Sequence, residues 1–212
     1  MRKIGFLVAG VAALGLALAQ SNVIKIATMS PLSGPQAALG EQIKLGAELA
    51  VEEAKERFKA LGFELVLVPY DDQANPDVGV ANANRMINDP DILGLVGTLN
   101  SGVAIPASEV LARVNLVMVS PANTNPSLTQ GADFATAPAR TYPNYFRTCT
   151  TDSIQGPFAA RYLFEKAGIK EVATVNDKKT YGQGLVNAFS EEYTKLGGKI
   201  VAAETINPDD DK

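Results

Sequence analysis

Short apolar runs alternate along this chain with longer stretches whose apolar positions recur every three or four residues. The first pattern predicts strands and the second amphipathic helices. After Gln20 a strand is predicted over residues 23–29. A long helix follows from Pro35 to about Ala60, with Ile43, Leu45, Ala47, Leu49, Ala50, Ala54 and Phe58 as its apolar positions. A strand over 63–69 leads to a helix opening at Pro76 and running to about Asn88. Proline is tolerated at a first helical turn because its missing N–H has no intrahelical partner there. A strand over 92–97, a helix over 102–113 and a strand over 116–119 complete this part.

The rhythm breaks between Ser120 and Arg147, where prolines, a glycine and scattered aromatics leave room for one short strand near Tyr145. It resumes with a helix over 153–167, a strand over 171–176, a helix over 181–196 and a strand over 199–206. Strands alternating with helices of this length predict an α/β fold, a parallel sheet covered by helices on both faces. The irregular stretch divides the chain into an N-terminal ligand-binding lobe over 20–147 and a partial C-terminal lobe over 148–212. A sheet as small as the second lobe supplies leaves apolar faces uncovered. The expectation is a chain truncated at its C-terminal end.

The N-terminus changes the picture of where the protein resides. Met1-Arg2-Lys3, the apolar run 4–18 and Ala17-Leu18-Ala19 are the parts of a signal peptide over 1–19. No cysteine follows the run, so no lipid anchor is expected there. The reading is an exported protein with no direct membrane insertion after cleavage. A net charge of −4, with no basic cluster, argues against nucleic acid or an anionic membrane surface as a partner. The single Cys149 cannot form an internal disulfide.

Histidine is absent altogether, which excludes a Cys/His zinc site and a Ser-His-Asp triad. No metal or cofactor is implied, and carboxylates alone form no visible catalytic constellation. The chain reads as a binder, not an enzyme.

Three apolar strands end in small polar turns, and in an open parallel sheet such strand ends border the ligand crevice. After the third strand, Asn100, Ser101 and Gly102 open a helix. Free N–H groups and the positive dipole end favour a carboxylate there. The same residues also suit a plain N-cap. After the fourth strand, Ser120-Pro-Ala-Asn-Thr124 is either a plain loop or a second ligand contact, in which the Ala122 carbonyl accepts from an ammonium and the Thr124 hydroxyl donates to a carboxylate or accepts from an ammonium. Leu39, beyond the first strand, either walls an aliphatic pocket or belongs to the helix core. Tyr181 opens a helix at the mouth of the second unit and offers a ring and a hydroxyl. Gly182-Gln-Gly184-Leu-Val-Asn187 is a poor match to a dinucleotide loop, since its third position is Asn. Asp71 and Asp72 read as caps of the helix at Pro76, with a metal or ribose contact as the alternative.

On these residues the chain resembles the leucine/isoleucine/valine-type binding proteins of ABC transporters, which have the type I periplasmic-binding-protein fold. The matching segments are IKIATMSPLSGPQAALGEQIKLGAELAVEE, VPYDDQANPDVGVANANRMIND, LGLVGTLNSGVAIPASEVL, VMVSPANTNPSLT, FRTCTTDSIQGPFAARYL and VNDKKTYGQGL. The resemblance implies two hinged lobes closing on an amino acid or a related amide, which is passed to ABC permease subunits in the membrane. It implies that Ser101, Ala122 and Thr124 hold the carboxylate and ammonium, with Tyr181 on the facing lobe. Leu39 stands where leucine-binding members often carry an aromatic. Asn100 occupies a position that is a disulfide cysteine in some members, so no such bridge forms. The family's acidic ammonium ligand and further pocket aromatics are expected beyond Lys212. The alternatives are a sensing module of the same fold feeding a receptor or regulator and, more remotely, an exported α/β hydrolase.

Overall fold

Alternating apolar runs become a parallel sheet in the computed structural model, which describes residues 22–207. The segment read as a signal peptide lies outside the described residues. Strand β1 (Val23–Ser30) is followed by helix α1 (Ala37–Ala60), β2 (Glu64–Asp71), α2 (Pro76–Ile87), β3 (Ile92–Gly97), α3 (Ser101–Ala112) and β4 (Val117–Ser120). A four-residue helix α4 (Ser127–Gln130) and β5 (Tyr145–Arg147) fill the irregular stretch. Then come α5 (Asp152–Arg161), β6 (Glu171–Asn176), α6 (Thr180–Lys195) and β7 (Lys199–Thr205).

The five N-terminal strands form one sheet in the order β2-β1-β3-β4-β5, every pair parallel. The chain steps outward from β1 to β2, then crosses back to β3 and continues the other way. With right-handed crossovers, α1 covers one face while α2 and α3 cover the other. The reversal between β1 and β3 creates the crevice at their carboxyl ends where ligands bind in such sheets. The second sheet has two parallel strands, β6 and β7.

The core lies between the first sheet and the α2–α3 layer. Met29, Leu95 and Met118 from three adjacent strands meet Met86, Val103, Ala107 and Leu111 from the helices, all almost fully buried. Gly97 closes β3 at φ +144°, and a Cβ there would collide with the Met29 carbonyl oxygen, so only glycine fits between the strands. α1 buries Gly40, Ala47 and Val51. Leu45 and Leu49, read from the sequence as part of its apolar face, stay 52% and 62% exposed. They lie on the flank away from the buried stripe.

Two further expectations are corrected. The helix predicted over 153–167 is α-helical only to Arg161, and a π-helical turn over Tyr162–Lys166 ends it. Asp71 and Asp72 do not cap α2. Asn75 does, its Oδ1 accepting from the N–H groups of Asp77 and Val78 at 2.8 and 3.4 Å. Asp71 instead ties the β1 exit down, accepting from Leu32 N–H and the Ser33 hydroxyl at 2.8 and 2.6 Å. Burial pushes its pKa up, but those bonds and the Gln73 N–H outweigh that and hold it below the usual value. Asp72 is fully buried and, among the described residues, its carboxyl has only Ala74 N–H as donor, at 2.9 Å; burial pushes its pKa up to about 6. Adjacent carboxyl groups thus move in opposite directions because one is solvated by donors and the other is not.

Candidate functional site

The turns that follow β1, β3 and β4 meet at the sheet's carboxyl edge around a cavity of about 290 Å³. Its lining comprises Gln36 and Leu39 after β1, Leu99, Asn100 and Ser101 after β3, Ala122 and Thr124 after β4, and Tyr181 from α6. Six of the seven residues singled out from the sequence therefore share one cavity. The seventh, Gly102, borders an adjoining groove of about 210 Å³ that also includes Asn100, Ser101, Lys178, Lys179 and Tyr181. A larger cavity of about 800 Å³ lies elsewhere, along the first residues of β2 and the charged flank of α1. It sits away from the strand ends and is lined by Glu48, Glu52, Lys55, Glu56 and Lys59, a solvated groove rather than a crevice.

A buried polar network ties the turns after β3 and β4 to each other and to β5. The Ser120 hydroxyl donates to the Thr98 carbonyl at 3.0 Å and accepts from Ala122 and Asn123 N–H at 3.1 and 2.9 Å. Asn123 Nδ2 donates to Thr98 Oγ1 at 3.2 Å, and Thr98 Oγ1 donates to the Asn100 carbonyl at 3.0 Å. The Tyr145 hydroxyl donates to Asn123 Oδ1 at 3.2 Å, and burial pushes its pKa up to about 12, so it remains a neutral donor. Arg147 donates to the carbonyls of Asn123 and Asn125 at 2.6 and 2.9 Å and to Thr129 Oγ1 at 3.0 Å. Such a network fixes the turns before any ligand arrives.

The cavity-facing groups keep hydrogen-bonding capacity in reserve. Asn100 occupies the N-cap position of α3, yet its side chain makes no capping bond and donates instead to Gln36 Oε1 at 2.9 Å. The N–H groups of the first turn of α3 are consequently not claimed by that side chain. Ser101, 2% exposed, accepts a long bond from Asn125 N–H at 3.4 Å, which leaves its own proton free to donate. Asn100 Oδ1 and Thr124 Oγ1 are buried without a partner among the described residues. A buried polar atom left unpaired costs about 1–3 kcal/mol, so both gain from a ligand that pairs them. Together the lining offers donors at the helix end and acceptors at Ala122 and Thr124. That set matches a molecule with an anionic and a cationic end. A volume of 290 Å³ is at the lower bound of the range of about 300–1,000 Å³ usual for ligand sites, which suits a ligand of amino-acid size.

Leu39 and Tyr181 are 53% and 43% exposed, so the aliphatic and aromatic sides of the cavity stand open. α6 is nonetheless close to α3, since a Cβ on Gly102 would lie 3.1 Å from Thr180 Oγ1. Gln36, Leu99 and the Thr98–Asn123–Tyr145 network were not anticipated from the sequence. Nothing in a lone Gln, Thr or Asn marks it as a neighbour of the crevice. Among the described residues, no three His, Cys, Asp or Glu side chains cluster as metal ligands, and no helix is long and apolar enough to cross a membrane.

Comparison with known proteins is consistent across sequence and structure. The family described as periplasmic binding protein matches residues 23–211. A Leu/Ile/Val-binding protein of Rhizobium johnstonii is 41% identical over 200 residues, covering 94% of this chain and 52% of the relative. The crystal structure of a leucine-binding protein from Thermotoga maritima superposes with a TM-score of 0.77 at 28% identity, covering 89% of this chain and 50% of the other. A solute-binding protein of an ABC transporter from Rhodopseudomonas palustris, in complex with benzoate, superposes with a TM-score of 0.74 at 26% identity, covering 89% and 49%. The chain thus spans about half the length of the relatives it matches.

Proposed function

Since the chain belongs to the periplasmic binding protein family, we propose that it captures an aliphatic or branched-chain amino acid, or a related amide, outside the cytoplasm for delivery to an ABC permease. One observation carries this reading. The cavity at the sheet's switch point joins a helix-terminus donor set at Ser101 to the acceptors of Ala122 and Thr124. The ligand carboxylate lies at the α3 N-terminus, taking the Ser101 hydroxyl and first-turn N–H groups. The ammonium donates to the Ala122 carbonyl and the Thr124 hydroxyl. The aliphatic side chain runs toward Leu39 and Leu99, and Tyr181 approaches from the second unit. Residues 20–147 act as the anchoring lobe, and 148–212 contribute part of the lobe that closes over it, by hinge motion of the kind common in such proteins.

Calorimetric titration of the product of the complete reading frame with leucine, isoleucine, valine and small amides tests the reading. Binding of at least one is expected, and silence with all of them overturns it. Ser101→Ala combined with Thr124→Ala is expected to weaken binding more than tenfold. Unchanged affinity in that double variant would place the anchor elsewhere.

A further inference from the structure

On its β4 side the ligand cavity is lined by Ala122 and Thr124, which belong to the irregular segment that follows the strand. No helix or sheet ladder sets their carbonyl and hydroxyl, so tertiary hydrogen bonds must. The carbonyls of this segment are largely claimed. Ser120 accepts from Thr148 N–H at 3.0 Å, and Thr124 from Asp152 N–H at 2.9 Å. The carbonyls on either side of Thr124 go to a single guanidinium: Arg147 Nη1 donates to Asn123 at 2.6 Å and Nη2 to Asn125 at 2.9 Å. Among the described residues no donor takes the Ala122 carbonyl. Arg147 itself does not line the cavity.

Arg147 is held in turn by its own surroundings. It ends β5, opposite Ser120 in the parallel register with β4. Nη2 also donates to Thr129 Oγ1 at 3.0 Å, and the guanidinium lies 5.5 Å from the centre of the Tyr145 ring. The Tyr145 hydroxyl donates to Asn123 Oδ1 at 3.2 Å, so β5 grips Asn123 by both its side chain and its carbonyl. A guanidinium suits this task because its donors diverge in a rigid planar fork. A lysine ammonium is a point charge on a flexible stem and cannot reproduce that fork.

Building on the amino acid reading above, we propose that Arg147 is the positioning residue for the ligand's amino group. Its grip on the carbonyls flanking Thr124 keeps the Ala122 carbonyl and the Thr124 hydroxyl aimed into the cavity. The carboxylate end is held by other means. Ser101 and the first-turn N–H groups belong to α3, and the turn before α3 is fixed by the Thr98 hydroxyl, which donates to the Asn100 carbonyl at 3.0 Å. The tie from the β4 segment to Ser101 is the long bond from Asn125 N–H at 3.4 Å. Loosening the Arg147 grip therefore impairs recognition of the ammonium and spares the carboxylate anchor. Arg147 also acts through its charge: burial pushes the Asp152 pKa up, and the guanidinium is one of the groups that pull it down. Arg147→Lys keeps the positive charge and changes the shape of the donor, which separates the two effects.

The test compares leucine with 4-methylpentanoate, which lacks the amino group, on the product of the complete reading frame and on its Arg147→Lys variant. Leucine is titrated calorimetrically, and the analogue is read by its displacement of leucine. The unsubstituted protein is expected to prefer leucine by about tenfold or more. In Arg147→Lys the leucine affinity should fall about tenfold while that of the analogue changes by less than about threefold, so the preference narrows. Equal weakening of both ligands marks a general structural defect and overturns the proposal, as does an unchanged leucine affinity. Unsubstituted protein that binds no amino acid sinks the amino acid reading itself. Leucine binding with its full preference kept in Arg147→Lys sinks only the present inference. Should that variant fail to fold, Thr129→Val removes the hydroxyl that anchors the same fork, at similar volume. A loss of about threefold for leucine alone is expected there. No loss, or an equal loss for the analogue, overturns the proposal.

Discussion

The two sheets are built from the same βα units yet sit in opposite environments. In the five-stranded sheet, Ala27 and Met29 of β1, Ile92 and Leu95 of β3 and Met118 of β4 disappear into one core with α2 and α3. In the two-stranded sheet, Val175, Val201 and Ile206 beyond the end of β7 stay 52–55% exposed. Ile154, Phe158 and Tyr162, spaced four residues apart along α5 and the turn that ends it, are 57–68% exposed. Local sequence pattern thus forms the elements in both regions, whereas burial depends on how many neighbours each element has. The first region can anchor a ligand rigidly, and the second region holds together around very few side chains.

Tyr193 is the sharpest way to test that contrast, because among the described residues it is the one large side chain fully buried in the second region. Its ring stacks on Phe189 at 5.2 Å and meets the edge of Phe164 at 6.0 Å, and its hydroxyl donates to the Ile169 carbonyl at 2.9 Å. Gly198 lies directly against the ring, where any Cβ would clash. Tyr193→Ala is expected to cost about 3–5 kcal/mol. Amide hydrogen exchange should show β6, β7 and α6 opening while β3 and β4 keep their protection. Equal loss of protection in both sheets would mean that they fold as one unit.

Leu111→Ala is the counterpart in the first region. Leu111 is fully buried in the α3 layer, so its truncation is expected to cost about 2–5 kcal/mol, read from a shifted urea midpoint. Protection should be lost here in β1, β3 and β4, the reverse of the Tyr193 pattern.

The elements of the first region were legible because Pro76, Gly62 and the apolar runs punctuate them, and strand–helix alternation implies the parallel sheet. Three strand-end turns were legible as a crevice for the same reason. Other features were hidden for physical reasons. The π-helical turn at Tyr162–Lys166 holds no glycine or proline, so its own residue types do not mark it. Asn75, not Asp71 or Asp72, caps α2, although all three are good capping residues and only the turn geometry chooses among them. Nothing in the sequence around Asp152 marks it as buried. Its burial arises from α6 packing across it, a contact between residues far apart in sequence.

Asp72 tests the polar side of the first region. Its carboxyl titrates near 6 in the fold, against about 3.9 in an unfolded chain. The folded state therefore binds the proton more tightly. Stability is fully present below about pH 4, declines as pH rises toward 6, and is level above that. Asp72→Asn removes the buried charge and keeps an oxygen for Ala74 N–H. The variant should gain roughly 1–3 kcal/mol at pH 7.5 relative to its effect at pH 4, measured by urea unfolding at both values. The same difference at both pH values would show that Asp72 is not an uncompensated charge.

The smallest effect is expected at Val201, and its smallness is what the contrast requires. Val201 lies on β7, half exposed, on a sheet with one neighbouring strand. Val201→Thr keeps the β-branched shape and the strand preference while adding a hydroxyl. At an exposed position this costs nothing to solvate, so the change in stability should stay within about 0.5 kcal/mol. Buried, the same hydroxyl would lose its water and cost about 1–3 kcal/mol. A loss of that size in the product of the complete reading frame would show that the β7 face is covered there. The exposure of the second sheet would then be a property of residues 22–207 alone, and the division between a packed and an open region would not extend to the whole protein.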